Sequence, residues 1–291
     1  VIRAAGSRSF PRALLAVTAH SAAALACMTS GCESGGVALI GREEAVATCA
    51  PACAATLAGC GVNYCASLPS LSAAPILDGL LECGLSLTSI DPAGWSGNET
   101  KPADLAVAYA AAWRPDGIYF FVQVEEAQRL PAPLTSAVYC GDAAHIFVDD
   151  DGTYAASPAY DVPGTLQLVA AAPADASTPV SRGTIFAPPR PVAAWDAGHF
   201  GAFPTPGGYV LEAFVPSADL GHAAPYFAAG GRVGMDVAIS YGGTPSLYGD
   251  SNCPKRGDFV LRQISRSAVS AGLPHDDTRA FCNPVLGTPT P

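Results

Sequence analysis

Three consecutive carboxylates, Asp149-Asp150-Asp151, stand directly before Gly152. Packed carboxylates repel one another unless a cation or solvent relieves them, and hard oxygen donors suit calcium. An EF-hand loop is excluded, because no Glu follows at the twelfth position. The plain alternative is a solvated acidic turn. A second set is aromatic. Trp95, Tyr139 and Trp195 sit among Gly, Ser and Asp in segments that read as loops. An exposed ring in such a place stacks on the C–H face of a sugar, whereas a buried one plugs the edge of a core.

Catalytic arrangements are missing from the sequence. There is no G-x-S-x-G elbow, no H-E-x-x-H, no P-loop and no dinucleotide fingerprint. Glu125-Glu126 is a carboxylate pair, but neighbours on a strand point to opposite faces and cannot flank one bond. The residue types fit a binding protein rather than an enzyme. Asn98-Glu99-Thr100 matches a glycosylation sequon, which is incidental behind a bacterial-looking leader.

The elements that must position these groups are strands. Leu105, Val107, Tyr109 and Trp113 recur at spacings of two and four with alanines between, giving one large-residue and one small-residue face. Pro115-Asp116-Gly117 is turn chemistry, and Ile118 to Val124 returns as a second strand. His145 to Asp149 is a third. Leu166 to Ala170, Tyr209 to Val215, Val233 to Ile239 and Phe259 to Leu261 continue the alternation. The expectation is all-β: a two-sheet antiparallel sandwich of jelly-roll or immunoglobulin-like kind.

Composition agrees. The 26 prolines and 30 glycines in 291 residues fit many short strands and turns. The formal charge of −10, with lysine only at Lys101 and Lys255, repels phosphate backbones and argues against nucleic acid as a partner. After the first thirty residues no apolar run reaches the ~20 residues needed to span a bilayer.

Residues 1–31 read as an export signal. Arg3, Arg8 and Arg12 precede the small-residue apolar stretch Ala13 to Ala26. Cys27 and Cys32 each follow a small residue, as in a bacterial lipobox, although neither has leucine three residues earlier. Acylation at Cys32 leaves eight of the ten cysteines, an even number, and is preferred to Cys27. The expected location is the bacterial envelope, with the membrane reached only through the lipid; a plain secreted protein is the alternative. Cys49, Cys53, Cys60 and Cys65 mark a Cys-rich tether over 32–73, with helical spacing between the first two, and oxidising export makes disulfides the default. Cys83, Cys140, Cys253 and Cys282 lie far apart, and the preferred pairings are Cys140 with Cys253 and Cys83 with Cys282. The main domain is placed at 74–285, with a tail over 286–291.

The order of four segments then carries a resemblance. They are the opening Ile76-Leu77-Asp78-Gly79, the hairpin AAAWRPDGIYFFVQV (110–124), GDAAHIFVDDD (141–151), and GYVLEAFVP (208–216) followed by GRVGMDVAIS (231–240). Together they resemble the family 9 carbohydrate-binding modules, within the wider DOMON-like sandwiches, over about residues 74–264. The resemblance implies a β-sandwich that binds mono- or oligosaccharides, often with calcium bracing its loops. It places Asp142 near the binding face, with turn capping as the alternative, and Trp113 in the core. His145 stands where the family has Glu, and Ser240-Tyr241 where an Asn-Asp pair often follows. A structural or protein-interaction module of the envelope with a degenerate sugar site is the alternative function. Haem held by Met235 and His145 is a further one, against which Met235 shares a core-type face with Val233, Val237 and Ile239.

Overall fold

The alternating stretch after Asp104 forms the central hairpin, β4 (Ala106–Arg114) and β5 (Gly117–Glu125). Its turn is held by Arg114, whose Nε donates to Asp116 Oδ1 at 2.8 Å. The computed structural model describes residues 63–90, 95–97, 103–126, 129–130, 138–152, 164–173, 183–186, 194–195, 199–242, 255–260 and 281–288. All belong to one compact unit, Gly41–Pro291. The expected leader, Cys32, Cys49, Cys53, Cys60 and Cys253 lie outside the described residues.

The described strands form two large sheets. In the first, β10 (Phe200–Thr205), β11 (Gly208–Pro216), β5, β4 and β2 (Thr88–Ser89) are neighbours in that order, and every pairing is antiparallel. The second has seven strands: β3 (Trp95–Gly97), β13 (Lys255–Val260), β12 (Gly234–Gly242), β6 (Ala143–Asp149), β7 (Thr165–Ala171), β8 (Gly183–Phe186) and β9 (Ala194–Trp195). These too are antiparallel throughout.

One core joins the inner faces. Val107, Tyr109, Trp113, Phe120 and Val122 from the smaller sheet share it with Ile146, Val148, Leu168, Met235 and Ile239 from the larger. Trp113 is buried, as expected, and its indole N–H donates to Gly287 O at 3.1 Å. The alanine face of β4 is buried as well. Its small side chains leave room for Tyr119 and Phe121 of β5, which stand opposite Ala112 and Ala110 in register. The 76–82 segment reaches this outer face: Gly79 N–H donates to Glu212 Oε2 at 2.7 Å, and Tyr119 OH donates to Oε1 at 2.6 Å. Gly79 takes φ +84°, and a Cβ there would sit 2.7 Å from the Phe203 ring. Only glycine meets both conditions.

The start of the sandwich differs from the expected boundary. Residues 63–71, read as tether and linker, are built into the domain: Tyr64 and Leu68 are buried in the main core. A short strand β1 (Ser67–Leu68) runs parallel to β14 (Val285–Leu286), pairing the beginning of the domain with its end. Cys65 bonds Cys282 across 217 residues, which corrects the expected Cys83–Cys282 pair. The reason is local. Two-residue strands show no periodicity, and Pro69-Ser70 reads as linker chemistry although Trp113 N–H donates to Pro69 O. Cys83 and Cys140 are also disulfide-bonded.

Candidate functional site

The outer face of the seven-stranded sheet is the unusual surface. Alternation sends Ile146 and Val148 of β6 inward and His145 and Phe147 outward. Gln167 of β7 and Ser240 of β12 stand on the same outer face, on the two strands flanking β6. The three polar side chains form one network: Gln167 Nε2 meets His145 Nδ1 at 2.9 Å, and His145 Nε2 meets Ser240 Oγ at 2.6 Å. With the Gln167 amide donating to Nδ1, the ring proton is on Nε2 and is donated to Ser240. In that tautomer the imidazole is not a base toward the hydroxyl, so the trio is not a nucleophile–base relay. His145, Gln167 and Ser240 are buried, with at most 8 % of any residue exposed. Phe147 stacks beside His145 at 6.2 Å between ring centroids.

Tyr139 borders this face. It lies in a single 3-10 turn, Val138–Cys140, half-buried against Val138, Ala143, Val169 and Ala171. It packs on Val169, which stands opposite His145 in register. Trp95 and Trp195 are in strands, not loops: Trp95 pairs with Phe259 in β3, and Trp195 pairs with Gly183 in β9. These are the two edges of one sheet, six strand steps apart, or about 29 Å along it. The fold therefore does not bring Trp95 and Trp195 to a single patch.

Asp142 is fully buried at the start of β6. Its Oδ2 accepts from Leu130 N–H and its Oδ1 from Gly242 N–H, while its own backbone O accepts from Ala172 N–H at 2.9 Å. Both carboxylate oxygens are committed to amides, so Asp142 ties three chain segments rather than facing a ligand. Burial pushes its pKa up to about 6 in spite of those amides, which act in the opposite direction. A Cβ at Gly242 would stand 2.5 Å from Leu130 O, so the knot needs glycine there.

The acidic turn lies at the far end of β6. Carboxylate oxygens of Asp149, Asp150 and Asp151 come within 4.8 Å of one another. Asp149 is buried, Asp150 half-buried and Asp151 exposed. His222 Nε2 bonds Asp150 Oδ2, and the His222 ring stacks flat on Tyr226 with centroids 3.7 Å apart. Burial first, then the three carboxylates, raise the Tyr226 hydroxyl pKa. An all-oxygen donor set fits calcium in kind, and His222 is the group that competes for Asp150. Neither His222 nor Tyr226 signals this role in sequence, being some 70 residues downstream of Asp150.

The haem geometry fails. Met235 points into the core between the sheets, whereas His145 stands on the opposite face and is engaged by Gln167 and Ser240. Two residues on opposite faces of one sheet cannot hold one haem iron.

No family model matches the chain, and no curated protein matches it. Among solved structures, a carbohydrate binding module of family 9 from Caldicellulosiruptor kristjanssonii, in complex with cellotriose, superposes with a TM-score of 0.52. The identity is 14 %, over 77 % of this chain and 94 % of that one. The module from the same organism in complex with glucose gives a TM-score of 0.48 at 15 % identity, over 76 % of this chain and 95 % of that one. Antiparallel sheets, a shared inner core and this superposition agree: the chain has the β-sandwich fold of the family 9 carbohydrate-binding modules.

Proposed function

We propose that the sandwich is a non-catalytic carbohydrate-binding domain that takes a mono- or oligosaccharide at the outer face of its larger sheet, beside Tyr139. The observation carrying this reading is the His145–Gln167–Ser240 network, an imidazole, an amide and a hydroxyl from three adjacent strands. These groups are buried and bonded to one another, so they would stiffen the face from beneath rather than meet the sugar directly. A ring at the border supplies the stacking surface. The module of like fold captured with cellotriose makes β-glucans the first ligands to try. Export, a diacyl anchor on Cys32 and an envelope location complete the proposal on the strength of the leader. Calcium at Asp149, Asp150 and Asp151 would brace the β6 end.

A structural or protein-interaction module is the second reading. It is favoured by the placement of Trp95 and Trp195 on opposite sheet edges. Affinity electrophoresis and calorimetry against cello-oligosaccharides, xylans and bacterial glycans separate the two. Saturable binding that Gln167→Ala weakens supports the sugar reading. Silence across the panel with a folded protein overturns it in favour of the second.

A further inference from the structure

The loop after β11 carries an aromatic ring outside the core. Tyr226 is 36 % exposed. Its ring lies flat on the His222 imidazole, with centroids 3.7 Å apart and an interplanar angle of 4°. Buried Phe227 meets it edge-on at 5.0 Å. The loop beneath is pinned by its backbone: Tyr226 N–H and Phe227 N–H both donate to Pro115 O, at 2.7 and 3.2 Å, and His222 N–H donates to Ser217 O at 3.0 Å. Asp150 holds the two rings from the side, bonding His222 Nε2 and accepting from the Tyr226 hydroxyl. Asp150 is itself fixed, since its N–H donates to Gly164 O at 3.1 Å. Ala223, Ala224 and Pro225, between the two rings in sequence, are exposed and small. An aromatic side chain left at the surface yet held in one rotamer has already lost the entropy that a ligand would cost it.

We propose that Tyr226 is the stacking platform of a second carbohydrate site, which takes one neutral pyranose unit against the ring and binds its hydroxyls at Asp151. The chemistry selects the guest. A flat ring takes the C–H face of a pyranose. Of the three carboxylates at this turn Asp151 alone is exposed, and its two oxygens accept from hydroxyls on adjacent carbons. Asp149 is enclosed, and Asp150 is committed to the rings. The field of the three acids reaches the Tyr226 hydroxyl, so an anionic sugar is turned away. The platform stands past the end of β6, whereas Tyr139 precedes its start. The seven residues of that strand put about 23 Å between them, so one sugar unit cannot touch both. The assignment does not rest on the Tyr139 site.

The test is an NMR shift titration of the full chain with methyl β-glucoside, methyl β-galactoside and the anion glucuronate, run in chelator so that Asp151 meets hydroxyls and not calcium. A neutral glycoside is expected to bind saturably with shifts at residues 222–227, and glucuronate at least tenfold more weakly. Tyr226→Ala is expected to weaken that binding about five- to tenfold, the value of one stacked ring, and Tyr226→Phe to restore most of it. Asp151→Asn, on an exposed side chain, stays informative if Tyr226→Ala fails to fold, with circular dichroism as the check; it too is expected to weaken the glycoside. Shifts confined to residues 138–140, or full affinity in the folded variants, overturn this site and leave the one beside Tyr139. Shifts at 222–227 that survive Tyr139→Ala support it, whatever becomes of the other. Tighter binding of glucuronate or of methylguanidinium than of either glycoside overturns the choice of a neutral sugar, and silence at both places overturns both sites.

Discussion

Replacing Glu212 with Gln tests how the smaller sheet is closed. The Glu212 carboxyl is fully buried, accepting from Tyr119 OH and Gly79 N–H. Burial raises its pKa from 4.5 to about 8, and the two hydrogen bonds only partly oppose that. The folded state therefore holds a proton that the unfolded chain releases. A raised folded pKa gives stability that is fully present below about pH 4.5 and lost as pH rises through about 8. In that window the group costs about 1.4 kcal/mol per pH unit, on the order of 5 kcal/mol in all. Gln keeps the shape: its carbonyl accepts from Gly79 and its amide donates to the Tyr119 oxygen. It cannot ionise, so that pH dependence disappears.

The assay is urea unfolding of both proteins at pH 5, 6, 7 and 8. At pH 5 the two should be close in stability, and the Gln variant should gain steadily toward pH 8. Glu126 and Asp142 also carry raised pKa values, but they are common to both proteins and cancel in the difference. A stability difference that stays constant across the four pH values would refute the account of a buried, proton-holding Glu212.

Gly242→Ala should destabilise the fold by about 1–3 kcal/mol through the clash with Leu130 O, read as a lower urea midpoint with unchanged slope. Cys65→Ser opens the 217-residue loop and should cost about 2–5 kcal/mol; a melting temperature unmoved under oxidising conditions would contradict the role given to that bridge. Trp95→Ala and Trp195→Ala should act on glycan affinity independently, with a coupling below about 0.5 kcal/mol in a double-mutant cycle, because the two positions lie on opposite sheet edges. Chelator followed by added calcium should lower and then restore the melting temperature if Asp149, Asp150 and Asp151 hold the ion, and Asp151→Asn should abolish that response.

The long strands were legible because β4, β11 and β12 alternate over nine residues, and because β5 is a run rich in β-branched and aromatic residues behind a clear turn. Strands of two or three residues were not, which is why β1, β3 and β9 read as linker and loop. The cysteine partition failed for a related reason. Cys65 lies among the Ala/Gly-rich cysteines in sequence, yet Leu68 three residues on is anchored in the core and carries Cys65 to Cys282. Gln167 had a faint signal, an amide inside the apolar run TLQLVAA. Its meaning appears only when strands 95 residues apart, those of His145 and Ser240, come side by side. Asp142 was found as a position but not as a knot, because its partners Leu130 and Gly242 are known only from the backbone path.

The buried acids share one logic. Glu212 catches Gly79 over the outer face of the smaller sheet, and Asp142 catches Leu130 and Gly242 where β6 and β12 meet their loops. In each case a carboxylate replaces ladder bonds that the sheet cannot supply, since a covering segment or a strand end offers amides with no strand opposite. Such a tie is strong but costs desolvation, and the raised pKa values measure that cost. Glu126 has the burial without the amide, and within the chain the Arg129 charge is what works against its raised pKa. A fold that answers two buried carboxyls with backbone donors and leaves the third without one makes that third group the most reluctant to ionise: Glu126 is pushed to about 9, above Glu212 at about 8 and Asp142 at about 6.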